Sequence, residues 1–280
     1  MNLLYTLDKN YIEQLIVSIG SVLRFKTDEG YDVYIMQTDF SIEDKERINR
    51  SFSACSYIRL HYVEMSESLF SGFPKNNRYP KTMYYRILAA KLLPPDMDRI
   101  LYLDPDVIAI NSPKSIYGMD ISQKYFAACT HTGVVLTSIN RKRLGITDER
   151  PYINTGVMLI NLPLLREKQS FEEIKEFILM KQDNFILPDQ DIITALYGDK
   201  VLIIDSMIYN LNDRLLIMKP STARGEATRL DYIAENTVFI HYYGRNKPWN
   251  KGYIGILDKF YNDAKCLDYS GDNICQQHRT

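Results

Sequence analysis

Apolar residues along this chain follow two rhythms that take turns. In short runs at 3–7, 31–37, 58–63, 125–130, 152–162, 201–205 and 237–241 they are contiguous or alternating, as in strands. Between the runs they recur every three or four positions: Ile12, Leu15, Ile16, Ile19, Val22 and Leu23 first, then Ile48 and Phe52, then Tyr84, Ile87, Leu88 and Leu92, then Phe171, Ile174, Phe177 and Ile178. That spacing is helical. Ser41 followed by Asp44, and Ser170 followed by Glu173, are signals for a helix N-terminus, and Pro94-Pro95 closes the helix predicted over 82–93. Strand and helix alternate, which predicts an α/β fold with a mixed, mainly parallel central sheet flanked by helices.

Stretches 66–81 and 132–151 read as loops, and 224–231 as a charged connector. After Pro188, the sequence Asp189-Gln190-Asp191 opens a short helix whose first turn is expected to point these side chains outward; two of the three serve as caps, and Gln190 has no capping duty. Beyond about residue 256 the periodicity weakens. The expectation is one domain over 1–255 followed by a helical or irregular tail over 256–280.

One segment breaks the pattern. Residues 99–110 are the apolar core of a buried strand, interrupted by Asp104 and Asp106. An ionised carboxylate is almost never fully buried unless it is paired or bound to a metal, so this pair is expected to meet a cation. Pro105 between them cannot donate a ladder hydrogen bond, which marks the strand's end, and the carboxyl ends of strands are where open α/β sheets place ligands.

Other polar residues sit at comparable places. Asp8 and Asn10 follow the first strand, as helix caps or as the lining of a nucleotide pocket. Arg86 lies in an otherwise apolar helix, either as a surface stem or as the partner of a carboxylate or phosphate. Gly156, in the Asn154-Thr155-Gly156 lead of a buried strand, indicates close backbone approach to something. His241 ends an apolar strand, where histidine is more often structural than a ligand; here Gly244, Lys247 and the only tryptophan, Trp249, follow closely.

Composition narrows the partners. With 45% hydrophobic and 25% charged residues and a formal net charge of −1, the chain has no clustered basic excess, which excludes nucleic acid. Its four cysteines, Cys55, Cys129, Cys266 and Cys275, show no metal-binding spacing. The first residues lack the features of a signal peptide and no run approaches the length of a membrane span, so the expected location is cytoplasmic, with membrane contact at most peripheral, on the inner face. A homo-oligomer is compatible with the chain.

Two carboxylates and an imidazole suit a hard divalent ion, Mn²⁺ ahead of Mg²⁺ because of the imidazole, and a diphosphate would complete the shell. Lys247 could neutralise a departing phosphate. The set fits a nucleoside diphosphate leaving group.

The residues resemble family 8 glycosyltransferases of the GT-A (Rossmann-like) fold. The likeness runs from Leu3 to about Tyr253 on four motifs in order: Leu101-Tyr102-Leu103-Asp104-Pro105-Asp106-Val107, the strand from Asn154 to Asn161, Asp189-Gln190-Asp191, and His241-x-x-Gly244-x-x-Lys247-Pro248-Trp249. The resemblance implies Mn²⁺-dependent, anomer-retaining transfer of glucose or galactose from a UDP-sugar to a carbohydrate acceptor. It implies Asp104, Asp106 and His241 as metal ligands, with Asp8, Asn10 and Thr82 near the uridine. Gly244 and Lys247 would lie at the diphosphate, and Arg86, Asn154, Asp189 and Gln190 around the donor sugar. Gln190 would lie beneath the anomeric carbon, with Asp191 the nearest carboxylate that could act instead. The 66–81 loop would be a lid. Where relatives often carry an acid near the acceptor, this chain has His131. The alternatives are a sugar nucleotidyltransferase, which should carry a Gly-rich phosphate loop after its first strand, and a non-catalytic UDP-sugar or glycan-binding protein.

Overall fold

A computed structural model of the chain describes residues 1–66, 70, 73, 81–130, 132–218 and 226–270. The elements run β1 (Asn2–Thr6), α1 (Ile12–Leu23), β2 (Tyr31–Gln37), α2 (Ile42–Ser51), β3 (Ile58–Glu64), α3 (Tyr85–Leu92), β4 (Arg99–Leu103), β5 (Val107–Ala109), α4 (Lys114–Tyr117), β6 (Phe126–Cys129) and α5 (Val134–Leu144). They continue as β7 (Asn154–Asn161), α6 (Leu162–Lys168), α7 (Phe171–Lys181), α8 (Pro188–Tyr197), β8 (Val201–Ile204), α9 (Ser206–Tyr209), α10 (Asp213–Met218), α11 (Glu226–Asn236), β9 (Phe239–His241) and α12 (Asp258–Lys265).

Seven strands form one sheet in the order β3-β2-β1-β4-β7-β6-β8, and β5 and β9 form a separate antiparallel pair. Only β7 runs against its neighbours in the large sheet. Successive side chains of a strand point to opposite faces, and β4 shows the result: Ile100 and Tyr102 join the core under α3, α6, α7 and α8, while Leu101 and Leu103 join the core under α1 and α2. Burial on both faces is why these strands read as continuous apolar runs. The capping box expected at Ser41 forms, with Asp44 N–H donating to Ser41 Oγ at 3.2 Å and Ser41 N–H to Asp44 Oδ2 at 2.9 Å.

Two expectations change. The loop expected over 132–151 contains α5. Its apolar residues Val134, Val135, Leu136 and Ile139 are exposed, and it is anchored by polar contacts such as Thr137 to Thr132 at 2.8 Å and by the buried Leu144. A helix whose apolar residues do not form its inner face gives no amphipathic signal. The charged connector at 224–231 overlaps α11, where among the described side chains Ile233 alone enters the core. The segment past residue 255, expected as a helical or irregular tail, contains helix α12; Leu257, Tyr261 and Ala264 pack into a third core with Ile108, Ile240 and Leu211, and Tyr269 O accepts a hydrogen bond from Ala54 N–H at 2.9 Å. Most of the 66–81 loop, including the expected lid, and His131 lie outside the described residues.

Candidate active site

Because β1, β4 and β6 are codirectional and β7 is reversed, the ends of the first three and the start of β7 share one edge of the sheet. Asp104 directly follows β4. Its N–H donates to Gly156 O of β7 at 2.8 Å, and a turn closed by Val107 N–H to Asp104 O at 3.0 Å carries the chain through Pro105 and Asp106 into β5. Pairing of β5 with β9 sets Val107 opposite His241, and Tyr242 N–H donates to Asp106 O at 3.0 Å. Backbone register therefore delivers the histidine to the two carboxylates, which converge through a turn rather than along one strand.

Asp104, Asp106 and His241 each offer a ligand atom, all within 4.8 Å of one another, and they are the only such cluster among the described residues. His241 Nε2 lies 3.2 Å from Asp106 Oδ1 and 3.5 Å from Asp104 Oδ2. Both Nε2 and Asp106 Oδ1 are buried without a hydrogen-bond partner among the described residues. Orphaned buried polar atoms are costly, and two carboxylate oxygens facing an imidazole nitrogen are a donor set a divalent cation satisfies. The electrostatics agree. Burial opposes charging of His241, but Asp106 and Asp104 outweigh it and push the imidazole up to about 9. Burial would raise Asp106, yet Lys247 and His241 hold it far below the usual carboxylate range. The arrangement favours positive charge between its members.

The groups around this cluster are fixed by their partners. Arg86 of α3 is buried and not a surface stem: its Nη1 lies 2.9 Å from Asp104 Oδ1 and 3.1 Å from Asp189 Oδ2, and its guanidinium stands 4.5 Å from the centre of the Tyr102 ring. Burial raises the Asp189 carboxyl above its ordinary value, with Arg86 and Thr155 opposing, and Thr155 Oγ1 donates to it at 2.7 Å. Lys247 Nζ donates to Asp106 Oδ2 at 2.5 Å and to Tyr242 O at 2.7 Å. The close approach signalled by Gly156 is to His241: a Cβ there would sit 2.1 Å from the imidazole Cε1 and 2.9 Å from Asp104 Oδ2.

Asp189, Gln190 and Asp191, expected to point outward, are all buried. The first turn of α8 faces the sheet edge, where Arg86 draws Asp189 inward. Gln190 Oε1 is buried with no partner among the described residues. Asp191, the nearest carboxylate that could act instead of Gln190, is engaged on both oxygens: Arg143 of α5 grips it at 2.6 and 3.0 Å, Tyr152 donates at 2.7 Å, and Ile186 and Leu187 N–H at 2.8 and 3.2 Å. Asn154 is buried and its Oδ1 accepts from Gly156 N–H at 3.0 Å. Asp8 caps a single 3-10 turn, accepting from Asn10 N–H at 2.9 Å, so the capping role is realised. That turn ends at Tyr11, whose phenol is raised first by burial and is within electrostatic reach of Lys247, Asp106, Asp8 and Asp104. Asn10 is exposed, and Thr82 is buried just ahead of α3. Gly244 has φ +88°, a left-handed turn that favours glycine.

Sequence reasoning passed over Tyr102, Thr6 and Asn210. Tyr102 donates to Asp104 Oδ1 at 2.6 Å and lies 3.1 Å from Thr6 Oγ1; both read as strand residues, and only sheet pairing brings them to the carboxylate.

The Escherichia coli lipopolysaccharide 1,2-glucosyltransferase is 26% identical over 258 residues, covering 89% of this chain and 73% of that protein. The Salmonella typhimurium lipopolysaccharide 1,3-galactosyltransferase is 25% identical over 279 residues, covering 94% and 77%. A crystal structure of the galactosyltransferase LgtC with donor and acceptor sugar analogues superposes with a TM-score of 0.78 at 24% identity, covering 95% of each chain, and so shares the fold. The model of glycosyl transferase family 8 matches residues 2–252, and the chain belongs to that family.

Proposed function

We propose that this glycosyltransferase is a divalent-metal-dependent retaining enzyme that moves glucose or galactose from a UDP-sugar to a glycan acceptor of a cell-surface polymer. The observation that carries the reading is the Asp104–Asp106–His241 cluster, with two buried ligand atoms unpaired and aimed at one point. The relatives named for glucosyl and galactosyl transfer to lipopolysaccharide support the two hexoses and the acceptor class.

Asp104, Asp106 and His241 would hold Mn²⁺, with Mg²⁺ as the alternative, and the bound ion would supply positive charge to the diphosphate. Asp8, Asn10 and Thr82 would border the nucleoside, Gly244 and Lys247 the diphosphate, and Arg86, Asn154 and Asp189 the hexose. Lys247, released from Asp106 once a diphosphate offers it better acceptors, would stabilise charge on the leaving group. Gln190 is read as the group beneath the anomeric carbon. An amide is a poor nucleophile, Asp189 is tied to Arg86, and both Asp191 oxygens are occupied, so neither of these two carboxylates stands ready for a glycosyl-enzyme. The anomeric C–O bond to UDP then breaks with its electron pair leaving on the diphosphate. The acceptor oxygen bonds to carbon on the same face, and its proton passes to the diphosphate oxygen.

The test is UDP release from UDP-glucose and UDP-galactose with Mn²⁺ and a glycan acceptor, comparing the wild-type chain with Asp106→Ala. Loss of turnover in the variant is expected; unchanged turnover refutes the metal role. Pyrophosphate as product would indicate the nucleotidyltransferase alternative, against which stands the single capped turn, without a Gly-rich loop, after β1.

A further inference from the structure

Asn210 belongs to none of the four motifs, yet it is buried directly behind the metal-binding histidine of the reading above. It follows α9 at the close of a turn that leads the chain back to the sheet edge, and its Oδ1 lies 2.9 Å from His241 Nδ1. Its Nδ2 donates to Asn154 Oδ1 at 2.8 Å.

The orientation of this amide follows from a donor that cannot reverse. Gly156 N–H points at one terminal atom of Asn154 at 3.0 Å, so that atom is oxygen. The Asn210 atom facing the same oxygen must then be its NH₂, which leaves the Asn210 oxygen for His241. An oxygen opposite Nδ1 requires a proton on Nδ1. Nε2 then has its lone pair free for a cation between Asp104 and Asp106, where it finds no hydrogen-bond partner among the described residues. Histidine ligands take their tautomer from the bond the other ring nitrogen makes.

We propose that Asn210 is a positioning residue that holds His241 in the Nδ1–H tautomer and so presents Nε2 to the divalent cation. The Gly156–Asn154–Asn210–His241 relay extends this control to β7. Its start, Asn154, is expected at the donor sugar, so one strand end serves both metal and sugar. The inference rests on the reading that the cluster binds a cation.

The test uses the full chain as wild type, Asn210→Leu and Asn210→Asp. Mn²⁺ binding with UDP present is followed by the electron paramagnetic resonance signal of the free ion. The protonated nitrogen of His241 is read by ¹⁵N NMR with Mg²⁺ in place of Mn²⁺. Asn210→Leu is expected to weaken Mn²⁺ binding by about 10–100-fold, the usual effect of losing a group that orients a metal ligand. Asn210→Asp, which keeps an oxygen against Nδ1 but sets its second oxygen against Asn154 Oδ1 where the amide donated, is expected to show the wild-type Nδ1–H spectrum and to bind Mn²⁺ more tightly than Asn210→Leu. Wild-type Mn²⁺ affinity in Asn210→Leu overturns the proposal, as does a proton on Nε2 in the Mg²⁺-loaded wild type or Asp variant; the spectra decide it should the Leu variant fail to fold. A wild-type chain that binds no Mn²⁺ with UDP refutes the cation reading itself, a result distinct from binding that ignores residue 210.

Discussion

Arg143 grips both oxygens of Asp191, at 2.6 and 3.0 Å, and this pair joins α5 to the first turn of α8 beside Gln190. The carboxylate is fully buried, while the Arg143 side chain is 16% exposed. Removing one member of such a pair strands the other charge away from water. Arg143→Met is expected to cost about 3–5 kcal/mol of stability. Asp191→Asn should lower Tm, while its activity per folded molecule falls far less than that of Asp106→Ala. Thermal unfolding followed by turnover normalised to folded protein checks this; a collapse of kcat in fully folded Asp191→Asn would make Asp191 a catalytic group after all.

Arg86 bridges Asp104 and Asp189 while its planar group lies against Tyr102. Lysine offers neither the fork nor the flat face. Arg86→Lys is expected to lower kcat/KM by about 10–100-fold, as for other partners of metal-ligating groups. Steady-state kinetics with Mn²⁺ saturating measure it, and a change confined to stability would remove Arg86 from the donor site.

Gly156→Ala places a methyl group 2.1 Å from His241 Cε1, inside any contact distance. Either the imidazole or β7 must move. The expected result is a loss of about 1–3 kcal/mol from overpacking, together with weaker Mn²⁺ binding. Denaturant unfolding and Mn²⁺ titration on one preparation separate the two effects; unaltered metal affinity would mean that the imidazole's place is not critical.

Asp32 on β2 is paired with Arg59 and His61 on β3, and the Arg59 hydrogen bond holds its carboxyl at about 2. The folded value lies below the unfolded one, so the pair's contribution is present above about pH 4 and is lost as pH falls toward 2. A partly exposed pair of this kind contributes about 0.2–1 kcal/mol. The wild type should therefore exceed Asp32→Asn in stability at pH 5 by that amount and converge with it near pH 2. Urea midpoints across this range provide the check.

How far the sequence reached depended on whether a signal was local. The inner strands of the large sheet are buried on both faces, so apolar runs announce them, and the Ser41 and Ser170 caps act within three residues. The site motifs were legible as charge placed where burial was expected, as at Asp104 and Asp106. Helix α5 was not, because Val134, Val135, Leu136 and Ile139 are exposed and polar contacts hold it. Neither was the inward turn of Asp189, which depends on Arg86 arriving from another helix.

The chain by itself determined the alternation of strand and helix, the edge at which polar residues would gather, and the acids and imidazole found there, since hydrophobic period and misplaced charge are properties of neighbours in sequence. Tertiary structure alone decided which nitrogen of His241 faces the carboxylates, why residue 156 must lack a side chain, and that Asp191 is committed to Arg143. The first two are contacts made only when β5 pairs with β9 and β7 lies against β4, the third only when α5 meets the first turn of α8, and no pattern along one segment encodes a distance between two.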